Sequence, residues 1–153
     1  VRCLSIFYEL QGGKGPFERS KILVGNEIIG KWKIIISYLT AEHAGQPDKN
    51  GQFRVLSTME EMEPGEVCTE TYLVAGAFDT KVEADNYMAY LKTKFVRFLL
   101  QQIAITQHIS RSTFRYIPVQ DFKEQWTDEK LYAKYKLTSE EVNFIEKMIK
   151  EMK

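Results

Sequence analysis

The sequence predicts an α+β fold: a mixed, largely antiparallel sheet with one long helix and two C-terminal helices. Three observations carry this. Residues 33–39 (KIIISYL) are a β-branched run of strand length. Thr80 and Glu83 have capping-box spacing and open a stretch of helical apolar period. Strand and helix signals then follow one another without a regular βαβα alternation, which argues against a doubly wound sheet.

The elements follow in order. Residues 3–10 (CLSIFYEL) are apolar and β-prone, and Gly12-Gly13-Lys14-Gly15-Pro16 predicts the turn that ends them. After the 33–39 strand, residues 40–52 (TAEHAGQPDKNGQ) are polar and hold Gly45, Pro47 and Asn50-Gly51, which predicts a long exposed loop or hairpin tip. Residues 53–56 and 67–78 read as further strands, joined by a loop carrying Glu60, Glu61, Glu63, Glu66 and Pro64-Gly65. From Thr80, apolar residues recur at Ala84, Tyr87, Leu91, Phe95, Phe98 and Leu99, predicting one helix over 80–103. Its other face would carry Tyr90, Lys94, Arg97 and Gln101, projecting together. A polar turn at Thr106-Gln107-His108 leads to a predicted strand over 113–119, closed by Pro118. The tail is helical. Thr127 precedes Asp128 and Glu129, as a helix start prefers. Thr138 and Glu141 form a second capping box, Leu137 and Val142 have hydrophobic-staple spacing, and Val142, Ile145, Met148 and Ile149 make one stripe. The chain divides into a body, 1–120, and a C-terminal helical extension, 121–153, packed on it.

Length and composition bound the function. The 153 residues make about one domain, long enough to bury roughly two-thirds of the unfolded surface without a disulfide or metal. No apolar stretch has the length of a membrane span and no signal peptide is present, which predicts a cytoplasmic protein. A start at Val1 inside an apolar run predicts a piece of a longer chain. Cys3 and Cys68 stand far apart and outside any C-x-x-C, so two reduced thiols are expected rather than a zinc site or a disulfide framework. Lys plus Arg and Asp plus Glu number 21 each, which excludes a uniformly basic nucleic-acid binder. The zero is nevertheless uneven. Residues 59–85 hold eight acids and one base, whereas residues 86–120 hold Lys92, Lys94, Arg97, Arg111 and Arg115 and no acid. Clustered charge of one sign is the footprint of a polyanion site, unless the glutamates of 60–66 fold back on it.

Catalytic motifs fail on context. Gly25 to Lys31 matches G-x-x-x-x-G-K, but Trp32 stands where a phosphate loop needs Ser or Thr, and a strand follows where it needs a helix. Pro47-Asp48 and Glu151-Met152-Lys153 can be aligned with a Pro-Asp…Glu-x-Lys nuclease site, but the second piece is the chain end and the match reads as chance. His43 and His108 are too few for a metal site. A Cys68–His108 nucleophile pair would require the two to meet in space, and the apolar context of Cys68 suits an inert thiol. What remains is a binding surface. Residues 92–116 combine five basic groups with Gln101, Gln102, Thr106, Gln107, His108, Ser110, Ser112 and Thr113, the residue types that hold phosphates and read base edges.

Four segments together carry a resemblance: 37–60 (SYLTAEHAGQPDKNGQFRVLSTME), 68–78 (CTETYLVAGAF), 93–122 (TKFVRFLLQQIAITQHISRSTFRYIPVQDF) and 126–149 (WTDEKLYAKYKLTSEEVNFIEKMI). The chain from about Lys31 resembles the C-terminal target-recognition region of bacterial type II restriction–modification proteins. These fuse an adenine-specific DNA methyltransferase, and often a nuclease, to a DNA-specificity domain. The resemblance implies that 1–120 is a DNA target-recognition domain that grips duplex DNA and positions it for a catalytic domain upstream in the same parent chain. It also implies that the parent binds S-adenosylmethionine, with magnesium if it cuts, and flips the target adenine. The Asn/Asp-Pro-Pro-Tyr/Phe motif of that chemistry is absent here, so no catalytic residue and no cofactor is expected in this chain. Base-reading residues vary with the target, so the expected contacts come from charge and exposure instead. Lys33, Lys94, Arg97 and Arg111 are expected on phosphates, and His43, Gln46, Lys49, Asn50, Gln107, His108 and Arg111 on bases. The alternative is a protein-interaction or subunit-docking domain of a multisubunit restriction system, docked through the amphipathic tail from Thr127. A nuclease within 1–153 is a third and weaker reading.

Overall fold

The computed structural model describes residues 6–10, 13–37, 46–56, 58–103 and 111–152, with backbone alone for 6–14, 111 and 112. Strands β1 (Ile6–Leu10) and β2 (Gly13–Phe17) form an antiparallel hairpin in which Leu10 faces Gly13 and Ile6 faces Phe17. The predicted turn at 12–16 is therefore mostly the returning strand. A two-stranded ribbon has only edge strands, where Pro16 and the glycines are tolerated.

The main sheet places β3 (Trp32–Ser37) between β4 (Met59–Met62) and β5 (Tyr72–Phe78), both antiparallel to it. The predicted acidic loop is thus partly a strand: Glu60 and Glu61 lie in β4, opposite Ile35 and Ile34. Alternation sends Ile34 and Ile36 to the helical side and Lys33 and Ile35 to the other. The second side is covered by residues 18–31, which include short 3-10 turns at Arg19–Lys21 and Asn26–Ile28. The Gly25–Lys31 stretch is that turn and not a phosphate loop: Gly25 sits at φ 79 and β3 follows at Trp32.

The helix predicted over 80–103 is two helices, α1 (Lys81–Lys92) and α2 (Lys94–Ile103). Thr93, at φ −59 and ψ 149, leaves the helical region between them. Its hydroxyl donates to Tyr90 O at 2.7 Å and accepts from Val96 N at 3.3 Å, so one residue closes α1 and caps α2. The Asp128 carboxylate completes the cap, accepting from Lys94 N at 3.0 Å and Phe95 N at 2.8 Å. Apolar period carries across a one-residue break, so the sequence pattern alone reads as continuous.

The strand predicted over 113–119 is absent. Arg111–Phe114 make a single helical turn, α3, and the following segment is irregular. Side chains of α1 hold it: Tyr90 Oη donates to Pro118 O at 2.6 Å and Asn86 Nδ2 to Phe122 O at 2.9 Å. The Phe122 ring packs edge-on against Tyr87 at 4.9 Å and Phe78 at 5.8 Å. Residues 53–56 are likewise no strand beyond one parallel bridge, Phe53 to Ile149.

The two predicted tail helices are present as α4 (Asp128–Lys134) and α5 (Ser139–Met148), and the capping box at Thr138 and Glu141 is complete. Their apolar stripe does not face outward. Leu131, Tyr132, Ile145 and Ile149 are buried in one cluster with Ile34, Ile36, Leu56, Leu91, Phe95, Val96 and Leu100. The 121–153 extension is thus a wall of the same core as the sheet and α1.

Candidate nucleic-acid interface

The expected contacts fall in different places. His43, Gln107 and His108 lie outside the described residues, and so does any meeting of Cys68 with His108; Arg111 is described in backbone alone. Lys33 is 2% exposed. Its ammonium donates to Lys31 O at 2.6 Å and to Ile29 O and Glu63 O at 3.2 Å each, which engages all three of its protons. Burial pulls its pKa below the usual lysine value, opposed by the charges of Glu66 and Cys68. It lines a cavity of about 740 Å³ walled by Ile22, Leu23, Val24, Met62 and Leu73. Its expected place on an outer phosphate-binding surface is corrected: this lysine ties the 18–31 layer to the turn after β4.

Arg97 needs the same correction. The face Tyr90–Lys94–Arg97–Gln101 does not project together, because the break at Thr93 separates Tyr90 from the rest. Tyr90 is fully buried and Arg97 is 1% exposed. The Arg97 guanidinium donates from Nε to Lys92 O at 3.0 Å and Thr93 O at 3.3 Å, and from Nη1 to Lys150 O at 2.7 Å and Arg54 O at 3.3 Å. Burial lowers its pKa, opposed by the charges of Asp128 and Glu151. Lys94 lies between the extremes. Its ammonium pairs with Glu146 at 2.5 Å and Glu151 at 3.3 Å, so its charge is largely met from within. The basic run of 86–120 is neutralised by the tail here, whereas Glu61 pairs with Lys81 at 2.7 Å. The fold-back of the 60–66 glutamates onto that run is not what these pairs show.

Gln46, Lys49 and Asn50 are exposed, as expected of a reading loop. Asp48 organises that loop. Its Oδ1 accepts from Asn50 N at 2.8 Å and Gln52 N at 3.1 Å, and its Oδ2 pairs with Lys150 at 3.0 Å. These bonds, the Gln52 amide first, hold its carboxyl below the usual aspartate range. Gly51 takes φ 78, which suits glycine, so Asn50-Gly51 makes the predicted turn. The Asp48 that sequence reasoning aligned with a nuclease motif is engaged in loop structure, and no group of three or more potential metal ligands occurs among the described residues.

The loop leads into a cleft that sequence reasoning missed. About 410 Å³ in volume, it is lined by Arg54, Thr58, Met59, Lys92, Lys150, Glu151 and Met152. Arg54, Lys92 and Lys150 come from the segment after the loop, the end of α1 and the segment just after α5. Only Lys92 stood in the basic run; no local signal links three residues so far apart in sequence. Among the described residues, Arg54 and Lys92 make no ion pair. Val55, beside Arg54, sits at φ 69, and Leu56 N closes a three-residue turn on Arg54 O at 2.9 Å. A buried β-branched residue in that region is strained by about 1–3 kcal/mol, and such strain concentrates at functional sites.

No family model, no curated protein and no solved structure matches this chain. No helix among the described residues is long and apolar enough to cross a membrane.

Proposed function

We propose that this chain is the DNA sequence-recognition domain of a restriction–modification methyltransferase or endonuclease. It binds duplex DNA and positions it for a catalytic domain elsewhere in a longer, cytoplasmic parent protein. S-adenosylmethionine and any magnesium belong to that other domain, as does adenine flipping. The observation that carries the reading is the 46–52 loop, where Gln46, Lys49 and Asn50 stand in solvent on a backbone fixed by Asp48. Amide side chains in such a loop can pair with base edges, and preorganisation lowers the entropy cost of doing so. The sequence resemblance to target-recognition regions supports the same reading. Lys33 and Arg97 are buried and make no direct contact in it, and Lys94 contributes only as far as its two carboxylate partners release it.

Tail-mediated subunit docking would have little apolar surface to use, since the apolar residues of α4 and α5 mostly line the chain's own core and Phe144 alone of their large ones is exposed. The test is fluorescence anisotropy with mixed-sequence duplexes at low salt. Binding is expected in the range of roughly 1–100 μM, weakening steeply as salt rises. Absence of any duplex binding at low salt overturns the reading.

A further inference from the structure

We propose that Arg54, Lys92 and Lys150 form a binding subsite for a single phosphate group, which in the proposed function is a backbone phosphate of duplex DNA; taking DNA as its source rests on that reading. Three observations carry it. First, three cationic side chains from three separate segments line one open cleft of about 410 Å³. Like charges placed together repel one another, a cost that a bound anion would offset. Second, the carboxylates nearby leave two of the three unmatched. Glu151 lines the cleft but pairs with Lys94, and Asp48 pairs with Lys150 alone; Arg54 and Lys92 keep no carboxylate among the described residues. Third, the arrangement is built from beneath. The buried Arg97 guanidinium donates to the backbone carbonyls of Lys92, Arg54 and Lys150, the same three residues. One side chain thus fixes the origin of each cleft cation and adds a fourth positive charge behind them.

The chemistry is that of a phosphoryl oxyanion. Arg54 can offer a two-pronged guanidinium contact, and Lys92 and Lys150 offer point charges. The position also suits a backbone contact in support of base reading. Lys150 bridges to Asp48, so the cleft and the 46–52 loop share a wall, and phosphate contacts fix the register in which loop side chains meet bases.

The test uses the whole chain, with a short mixed-sequence duplex in one arm and inorganic pyrophosphate in the other. The variant is Arg54→Gln with Lys92→Gln, which keeps the side-chain stems; Lys21→Ala, on the opposite side of the sheet, is the control for charge loss. Wild-type chain is expected to bind the duplex about ten-fold more tightly than the double variant, whose log–log salt slope is shallower by about one, with Lys21→Ala near wild type. Pyrophosphate is expected to shift the backbone amide resonances of Arg54, Lys92 and Lys150 in wild type but not in the double variant. Thermal melts check that each variant is folded. If wild type binds duplex and the double variant loses no more affinity than Lys21→Ala, the subsite is wrong while the DNA reading stands. If pyrophosphate shifts the three amides but no duplex binds, the subsite stands with a free phosphate compound as its ligand, and the DNA reading falls. If neither probe binds wild type, both are overturned.

Discussion

Arg97 and Lys33 have the composition of surface contacts and the environment of structural clips. Each is a cation whose donors are directed at backbone carbonyls, so removing it leaves buried acceptors unmet. Arg97→Ala is expected to cost roughly 3 kcal/mol or more in chemical denaturation, and Arg97→Lys to recover only part of that, because an ammonium lacks the planar fork that spans several carbonyls. A loss below about 0.5 kcal/mol in the Ala variant would show that the clip is not holding these segments. The Lys94–Glu146 pair makes a pH prediction. Burial by itself would raise the Glu146 carboxyl, but the Lys94 ammonium and the Tyr132 hydroxyl outweigh it and hold the pKa below the ordinary 4.5. A depressed carboxyl contributes stability that is full above its unfolded value and lost as pH falls through the folded one. Glu146→Gln is therefore expected to lower the melting temperature near pH 7 and to flatten the stability loss between about pH 5 and 3, read by melts across that range. None of these environments was legible from residue type, since an arginine on a helix reads the same whether its face meets water or four carbonyls.

At the scale of elements, capping chemistry was legible and its interruption was not. Thr80, Thr127 and Thr138 each accept from the backbone amide three residues on, as predicted by capping-box spacing at Thr80 and Thr138 and by the acids that follow Thr127. The break at Thr93 depends on Asp128, distant in sequence, whose carboxylate satisfies the first amides of α2. Asp128→Ala is expected to destabilise the chain by about 1–2 kcal/mol and to raise amide hydrogen exchange at Lys94 and Phe95 ahead of the rest of α2. Unchanged exchange there would remove Asp128 from the cap. The sheet and α1 meet at Gly76, where a β-carbon would stand 2.7 Å from the Tyr87 ring and 2.8 Å from the Phe78 ring. Tyr87 is further tied by its hydroxyl to Ala75 O at 2.9 Å, so it cannot retreat freely. Gly76→Ala is expected to cost about 1–3 kcal/mol through overpacking, measured by urea unfolding. The missing 113–119 strand has the same lesson: its β-prone residues pair with neither edge of the sheet, and Pro118 O instead accepts from the Tyr90 hydroxyl of α1.

Across the whole molecule, the C-terminal extension and the body share one hydrophobic core. Leu131, Ile145 and Ile149 are buried against residues from β3, α1 and α2. Deleting residues 127–153 is expected to abolish the cooperative melting transition, and Leu131→Ala alone to cost about 2–5 kcal/mol; a truncated chain that still melts cooperatively would show that the body folds without its tail. Charge is likewise a property of the folded molecule. Among the described residues the acid-free run of 86–120 is dispersed by folding, with Arg97 inside, Lys94 paired and Lys92 in the cleft, while Arg54 and Lys150 join Lys92 from segments outside that run. By itself the sequence determined the α+β class, the central β-branched strand, the helix starts and the exposed turn at Asn50-Gly51, because these depend on side-chain period, capping and backbone preference over a few residues. Only the tertiary structure decided which cations are buried and which stand together, and where the long helix breaks. Those outcomes depend on contacts between residues far apart in the chain, where burial decides whether a charge binds the protein's own carbonyls or faces a ligand.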